Sequence, residues 1–207
     1  MAIVNGYATL ATLKARLAIP SATVTYDAAL EAAIEAASRR VDEDTGCVFF
    51  DTAATRFYTA DNPVTLFLPD QLLSVSSIAT LSSAAGGTRN YGHVWSATDY
   101  DLEPYDGPPY GRICRNPTGL YAWPVDRKAV RVIGVFGFCV VGAHPRAIGE
   151  AALILAARLF ERSKSPLGLV GGEGMIEASV KVGASDPDYN ALIRPYRRHD
   201  MVIVPTW

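Results

Sequence analysis

The sequence of 207 residues predicts an α+β fold, a small helical bundle carrying an inserted antiparallel β-module. Three observations carry that expectation. Apolar residues recur at helical spacing before about residue 50 and after about residue 143. Between them, short β-branched and aromatic runs alternate with turn residues, and capping residues stand where the helical patterns start and stop. The implied division is a helical body over 1–50 and 143–200, a β-module over 51–142 and an apolar C-terminal tail over 201–207. With 49% hydrophobic and 19% charged residues, the chain has material for a sizeable core and is too apolar for wholesale disorder.

The first helix is expected near 10–18. Thr9 is placed to cap it, Leu10, Leu13 and Leu17 share a face, and Pro20 closes it. Residues 21–26 read as a turn. The second helix, 27–45, sets Leu30, Ile34, Ala37 and Val41 on one face and Glu31, Glu35, Arg39 and Asp42 on another. Glu35 and Arg39 have the favourable i,i+4 spacing, and Gly46 stands where a helix end needs a left-handed residue. Ala28, Ala29, Ala32, Ala33, Ala36 and Ala37 make this helix thin, so that a neighbouring helix can approach closely.

Strand-like runs follow at 55–59, 64–68, 73–81, 94–95, 100–102, 112–115 and 130–138, a module of about five to seven strands. Residues 85–87 and 105–109 are its clearest turns. In the last run both alternating sets are largely apolar, so that strand is expected to be covered on two sides. Helix then returns over 145–163, opened by Pro145. Residues 151–160 hold a single charge, Arg158, and are apolar nearly all round. Such a helix either threads the centre of the fold or also faces another subunit. A glycine-rich loop at 168–174, a strand-like stretch at 176–182 and a short helix at 187–194, capped by Asp186 with Pro187 behind it, complete the body.

Function classes are bounded mainly by exclusion. Nineteen Lys+Arg against twenty-one Asp+Glu leave a net charge of −2, and no zone departs from neutrality by more than two charges. No polybasic arm points to a protein that grips nucleic acid. Cys47, Cys114 and Cys139 are too widely spaced for a metal knuckle, and their odd number argues for a reducing compartment. The longest apolar run, 132–143, is too short to span a bilayer, which suggests a soluble protein without a membrane partner. Gly-x-Ser-x-Gly, His-Glu-x-x-His and Cys-x-x-Cys motifs are absent, and His93, His144 and His199 pair with no nucleophile at a readable spacing. Neither catalysis nor a metal or other cofactor is expected. The 168–174 loop lacks the Gly-Lys-Ser/Thr of a phosphate cradle and reads as surface. Asp42, Glu43 and Asp44 read as a solvated helix end, and Asp99, Asp101, Glu103 and Asp106 as a solvent-facing edge.

Two features invite partners. Arg194, Arg197, Arg198 and His199 form the single basic knot, read equally well as a solvated cluster or as a docking patch. Met201, Val202, Ile203, Val204 and Trp207 are apolar at a position where chains are usually polar. They either pack on their own subunit or insert into a partner. In the β-module, Tyr91, Trp95, Tyr100, Tyr105, Tyr110, Tyr121 and Trp123 are dense enough to line a carbohydrate platform, though core and turn packing explains them better.

Four stretches resemble the head–tail connector (adaptor, or head-completion) proteins of tailed bacteriophages and prophages. They are Leu10-Ala11-Thr12-Leu13-Lys14-Ala15-Arg16-Leu17; the helix over 28–46 ending Val41-Asp42-Glu43-Asp44-Thr45-Gly46; the helix over 151–161 running into Arg162-Ser163-Lys164-Ser165-Pro166-Leu167-Gly168; and Asp186-Pro187-Asp188-Tyr189-Asn190-Ala191-Leu192-Ile193-Arg194-Pro195-Tyr196-Arg197-Arg198. The β-zone looks like the inserted module of longer relatives. The resemblance implies a non-enzymatic ring, typically of twelve copies, at the head–tail interface of a virion assembled in the host cytoplasm. Its partners would be the portal, a stopper or tail-terminator protein, further copies of itself, and DNA passing through the lumen without sequence-specific contacts. Portal docking would then fall to Arg194, Tyr196, Arg197, Arg198, Met201, Val202, Ile203, Val204 and Trp207. The subunit interface would fall to Leu153, Ile154, Leu155, Leu159 and Phe160. The competing function is a ligand- or carbohydrate-binding β-module displayed on a helical base.

Overall fold

The computed structural model describes residues 3–85, 88–164 and 186–198. The glycine-rich stretch 168–174, the strand-like stretch 176–182, Gly86 and Gly87, His199 and the tail 201–207 lie outside the described residues. The chain divides into two compact units, one from Met1–Cys47 with His144–Trp207, the other from Val48–Ala143.

In the helical unit, α1 spans Leu10–Arg16. Thr9 and Thr12 cap it reciprocally, each side chain accepting the other's backbone amide. The helix stops short of the expected residue 18 because Ala18 turns to a positive φ of 54°. Lys14 is buried, and its ammonium sits 2.5 Å from Asp27 and donates to the Thr23 carbonyl at 2.8 Å. One side chain thereby ties down the turn that the sequence places at 21–26. The second helix, α2, spans Asp27–Thr45 and ends at Gly46, whose φ of 67° lets its amide reach back to Asp42 at 2.8 Å.

The third helix, α3, runs over Arg146–Lys164, and α4 over Pro187–Ile193 continues into a 3-10 turn at Arg194–Tyr196. Asp186 caps α4, accepting from the amides of Asp188 at 2.9 Å and Tyr189 at 3.4 Å. The core joins Leu13 of α1, Leu30, Ala33, Ile34 and Ala37 of α2, and Ala156 and Phe160 of α3. Each large side chain there contributes about 1.5–3 kcal/mol by leaving water. Of the six alanines on α2, only Ala33 and Ala37 serve the close approach; Ala28, Ala29, Ala32 and Ala36 are exposed.

The polar face of α2 holds the N-terminal segment in place. Glu35 accepts from the Val4 amide at 2.8 Å, Ser38 from the Tyr7 amide at 3.0 Å, and Arg39 donates to the Asn5 carbonyl at 2.9 Å. Arg39 also lies 3.3 Å from Asp42, which accepts the Tyr7 hydroxyl. Charges that the helical wheel assigns to water thus bind a chain segment some thirty residues away.

The β-unit contains eight strands among the described residues: β1 Thr52–Tyr58, β2 Thr65–Thr80, β3 Ser83–Ala85, β4 Thr88–Asn90, β5 His93–Trp95, β6 Tyr100–Glu103, β7 Tyr110–Arg115 and β8 Val130–Phe136. Six form one sheet in the order β1-β8-β2-β7-β6, with β5 also on β2, and every pairing is antiparallel; β3 and β4 make a separate hairpin. This exceeds the expected strand number, and two expected runs, 64–68 and 73–81, are a single strand. The register on β7 shifts between Phe67 and Leu72, so Pro69, which cannot donate to a ladder, sits in an irregularity rather than in a break.

The last strand alternates as its sequence suggests. Val130, Val132, Gly134 and Phe136 are buried, and Arg131, Ile133 and Val135 are half-buried on the other face. Gly134 is a packing requirement: a Cβ there would lie 2.3 Å from the Ser74 carbonyl oxygen, where irregular β2 comes close. The core of this unit gathers Tyr58, Leu66, Leu68, Leu72, Ile78, Trp95, Ile113, Trp123, Val130, Val132 and Phe136.

Candidate assembly surfaces

The basic knot is the end of a built corner. Tyr189 on α4 is buried and donates its hydroxyl to Asp44 at 2.8 Å. Asp44 also lies 3.0 Å from Arg40, one turn back on α2. Burial, then the Asp44 carboxylate, pushes the Tyr189 phenol far above its ordinary range, so it remains a donor. At the N-terminal end of α4, Arg158 of α3 reaches Asp186 at 2.7 Å. The 3-10 turn is fixed to the end of α2: the Arg198 amide donates to the Thr45 carbonyl at 2.8 Å, and the Cys47 thiol lies 3.5 Å from the Tyr196 carbonyl. Burial raises the pKa of that thiol, leaving it a poor nucleophile. Asp42 and Asp44 therefore are not a solvated helix end. They accept the phenols of Tyr7 and Tyr189, while Glu43 is exposed.

The corner presents Arg194 and Arg197 to the surface, with Tyr196 and Arg198 half-buried. Arg197 donates to Asn190 at 2.9 Å, so its guanidinium is held against α4. Met201, Val202, Ile203, Val204 and Trp207 lie outside the described residues. The chain leading to them leaves from Arg198, which the Thr45 bond anchors.

The five interface candidates of α3 separate into three groups. Phe160 is 3% exposed and belongs to the core of its own chain. Leu153, Leu155 and Leu159 pack on the rim of that core and keep part of their surface in water. Ile154 is half-buried and outside the cluster; two residues from Ala156, it points about 200° away around the helix. An all-round apolar sequence thus resolves into one side filled internally and another that leaves an isoleucine among Glu150, Arg158 and Glu161.

The aromatic residues of the β-unit are mostly packing groups. Trp95 and Trp123 stack at 3.9 Å and 7° and are 5% and 2% exposed. Their N–H groups donate to Thr80 Oγ1 and to the Val64 carbonyl, each at 3.1 Å. These two indoles of the expected aromatic platform are taken up by the core. Tyr91 covers Phe57 at 5.4 Å and holds the Arg131 guanidinium 5.2 Å from its ring. Tyr105 alone of the seven is strongly exposed, at 75%. No group of His, Cys, Asp and Glu among the described residues is arranged to hold a metal ion, and no helix among them is long and apolar enough to cross a membrane.

Sequence reasoning missed Tyr7 and Tyr189 as the partners of the α2 carboxylates. It also missed that β1, β5 and β6 each have a single strand partner among the described residues. Pairing across thirty to a hundred and fifty residues leaves no local signature, and edge status exists only once the strand order is known.

No protein-family model matches the chain, and no curated protein matches it. Solved structures do match its fold. A chain in the virion of a native gene transfer agent particle superposes with a TM-score of 0.60 at 20% identity, covering 96% of this chain and 93% of that one. Chains in the neck of an empty particle computed with C6 symmetry and in the neck of a native particle computed with C12 symmetry give TM-scores of 0.58 and 0.57, each at 19% identity with the same coverage. At these identities the likeness shows a shared fold, and it runs through both units.

Proposed function

We propose that this chain is a structural head–tail connector of a tailed phage, prophage or phage-like particle. Copies form a ring beneath the portal, extend the DNA channel, and offer a platform to the stopper or tail terminator. The observation that carries this reading is the fold shared over 96% of the chain with a component of gene transfer agent necks. A neck computed with C12 symmetry agrees with a ring of twelve. Two features of this chain add support. Ile154 and the outer parts of Leu153, Leu155 and Leu159 leave apolar surface on α3 for a neighbouring copy. The Arg198–Thr45 bond fixes the point from which residues 201–207 would reach the portal. Near-neutral charge suits a conduit through which DNA must slide.

The test is co-production with the portal of the same particle, followed by electron microscopy of the purified complex. The full chain should form rings on the portal. Protein lacking residues 201–207 should melt normally yet fail to co-purify, and Ile154→Glu should weaken association between copies. Equal portal binding by truncated and full-length protein would remove the tail from the docking role. Failure of the full chain to bind any portal or assemble into particles would remove the connector reading itself.

A further inference from the structure

The cations of the β-unit fall into two groups. Among the described residues Arg56 pairs with Asp70 and Arg112 lies 3.9 Å from Glu103, whereas Arg89, Arg115, Arg127, Lys128 and Arg131 have no acidic partner. All of these but Arg115 belong to two segments that the fold brings together. The Leu81 amide donates to the Ala129 carbonyl at 2.9 Å and the Ser82 amide to the Asn90 carbonyl at 2.8 Å, so residues 89–91 and 127–131 hang on adjacent positions. Tyr91 joins them directly. Its hydroxyl donates to the Lys128 carbonyl at 2.7 Å, and the Arg131 guanidinium lies 5.2 Å from its ring centre.

The backbone holds this patch in shape. Lys128 has a φ of 54°, a conformation that glycine or asparagine adopts more readily, and its amide donates to Thr59 Oγ1 at 3.0 Å. Hydrogen bonds at both its amide and its carbonyl thus keep a lysine where the chain is strained. Phe57, opposite Arg131 on β1, sets its ring 5.4 Å from Tyr91 and remains 47% exposed. Arg131 Nε has no acceptor, so the chain places a ring face but no anion against this guanidinium. Asp126 in the preceding turn and Asp61 beyond Thr59 are exposed and form no ion pair among the described residues.

We propose that Arg89, Arg127, Lys128 and Arg131 contact the phosphodiester backbone of duplex DNA. The inference rests on the connector reading and names the part of the chain that passing DNA touches. Cations gathered without acids of their own repel one another; a polyanion relieves that repulsion and releases its own condensed counterions. The surface therefore suits a partner recognised by charge, and in the connector reading that partner is the DNA of the channel. Phosphates recur along a duplex whatever its bases, so each contact can pass from one phosphate to the next as the duplex advances. The near-neutral total charge is compatible with this patch because acids gather elsewhere: Asp101 and Glu103 are on β6, which β7 and β2 separate from β8. A few screened contacts per copy, repeated around a ring, centre a duplex without clamping it.

The test is fluorescence anisotropy of a labelled mixed-sequence duplex against the purified full chain over a range of salt. Binding should ignore sequence and fall linearly with the logarithm of salt concentration. Arg89→Gln, Arg127→Gln and Lys128→Gln should each reduce that slope by about 1. Arg115→Gln removes a cation beside Tyr100, across β2 from β8, and should leave it unchanged. The three patch residues are exposed, so unchanged melting separates the effect from misfolding. No binding by the parent at low salt, or the parent's slope in all three patch variants, overturns the DNA site. Tighter binding of poly-glutamate than of the duplex, lost in the same variants, assigns the patch to an acidic protein and overturns it as well. Rings on the portal with the parent's slope in every variant leave the connector reading standing alone. Slopes that fall as expected in a chain that binds no portal keep the DNA site and remove the connector reading.

Discussion

The two units are held together by different means. The helical unit is assembled from the two flanks of the chain, and polar ties cross between them: Arg16 to Glu150, Tyr189 to Asp44, Arg198 to Thr45. The β-unit is one continuous stretch whose interior rests on a stacked indole pair and a ladder of neighbouring strands. Exposure differs as well. Among the described residues, Val4, Val24 and Tyr26 are the exposed large apolar groups of the helical unit, whereas Phe57, Val64, Phe67, Val94, Tyr105, Leu120 and Val125 are among those of the β-unit. A discontinuous unit needs specific pairs to bring its two flanks together, whereas the continuous one finds all its strand partners within a single stretch of chain.

The largest effect expected from this contrast is separability. A fragment of residues 48–143 should fold cooperatively by itself, giving a sigmoidal thermal melt and dispersed amide resonances, whereas residues 1–47 alone should show neither. A fragment 48–143 without a cooperative melt would break the comparison. Next in size is Trp123→Ala, which removes a buried indole and its stack on Trp95 and should cost about 4 kcal/mol in the β-unit's unfolding. Where two transitions are resolved by calorimetry, only one should move.

Tyr189→Phe is the matching probe of the helical unit. It keeps the ring and deletes the hydroxyl donated to Asp44, so a loss of about 1 kcal/mol is expected in the other transition. The smallest effect is a pH dependence. Burial lowers the His144 pKa, a shift partly offset by a hydrogen bond with the Tyr7 backbone. The unfolded chain takes up this proton near pH 6.5, whereas the folded unit resists it. Stability is therefore complete above about pH 6.5 and declines as the pH falls toward the lower folded value. His144→Gln should flatten that part of the denaturant-midpoint profile of the helical unit relative to the parent protein, and a profile that keeps its slope would exclude His144 as the source.

Local chemistry made many elements legible before any coordinates. Thr9, Asp186 with Pro187, and Gly46 satisfy or terminate backbone hydrogen bonds within a few residues, so helix ends could be read from them directly. Period and composition sufficed for an α+β chain and for the alternation in β8, because a strand's two faces are set by its own backbone. The candidate surfaces were less legible. Phe160 and Ile154 look alike on an apolar helix, and only the position of α1 and α2 decides that one fills their shared core and the other stays half-buried outside it. Asp42 and Asp44 look like solvated charges until Tyr7 and Tyr189 arrive from distant segments. Strand order, the fusion of two runs across Pro69, and the single-partner strands β1, β5 and β6 likewise depend on non-local pairing. Short-range hydrogen bonding and periodicity are encoded residue by residue; which surfaces meet, and which stay open, is a free-energy choice among long-range partners that only the folded chain makes.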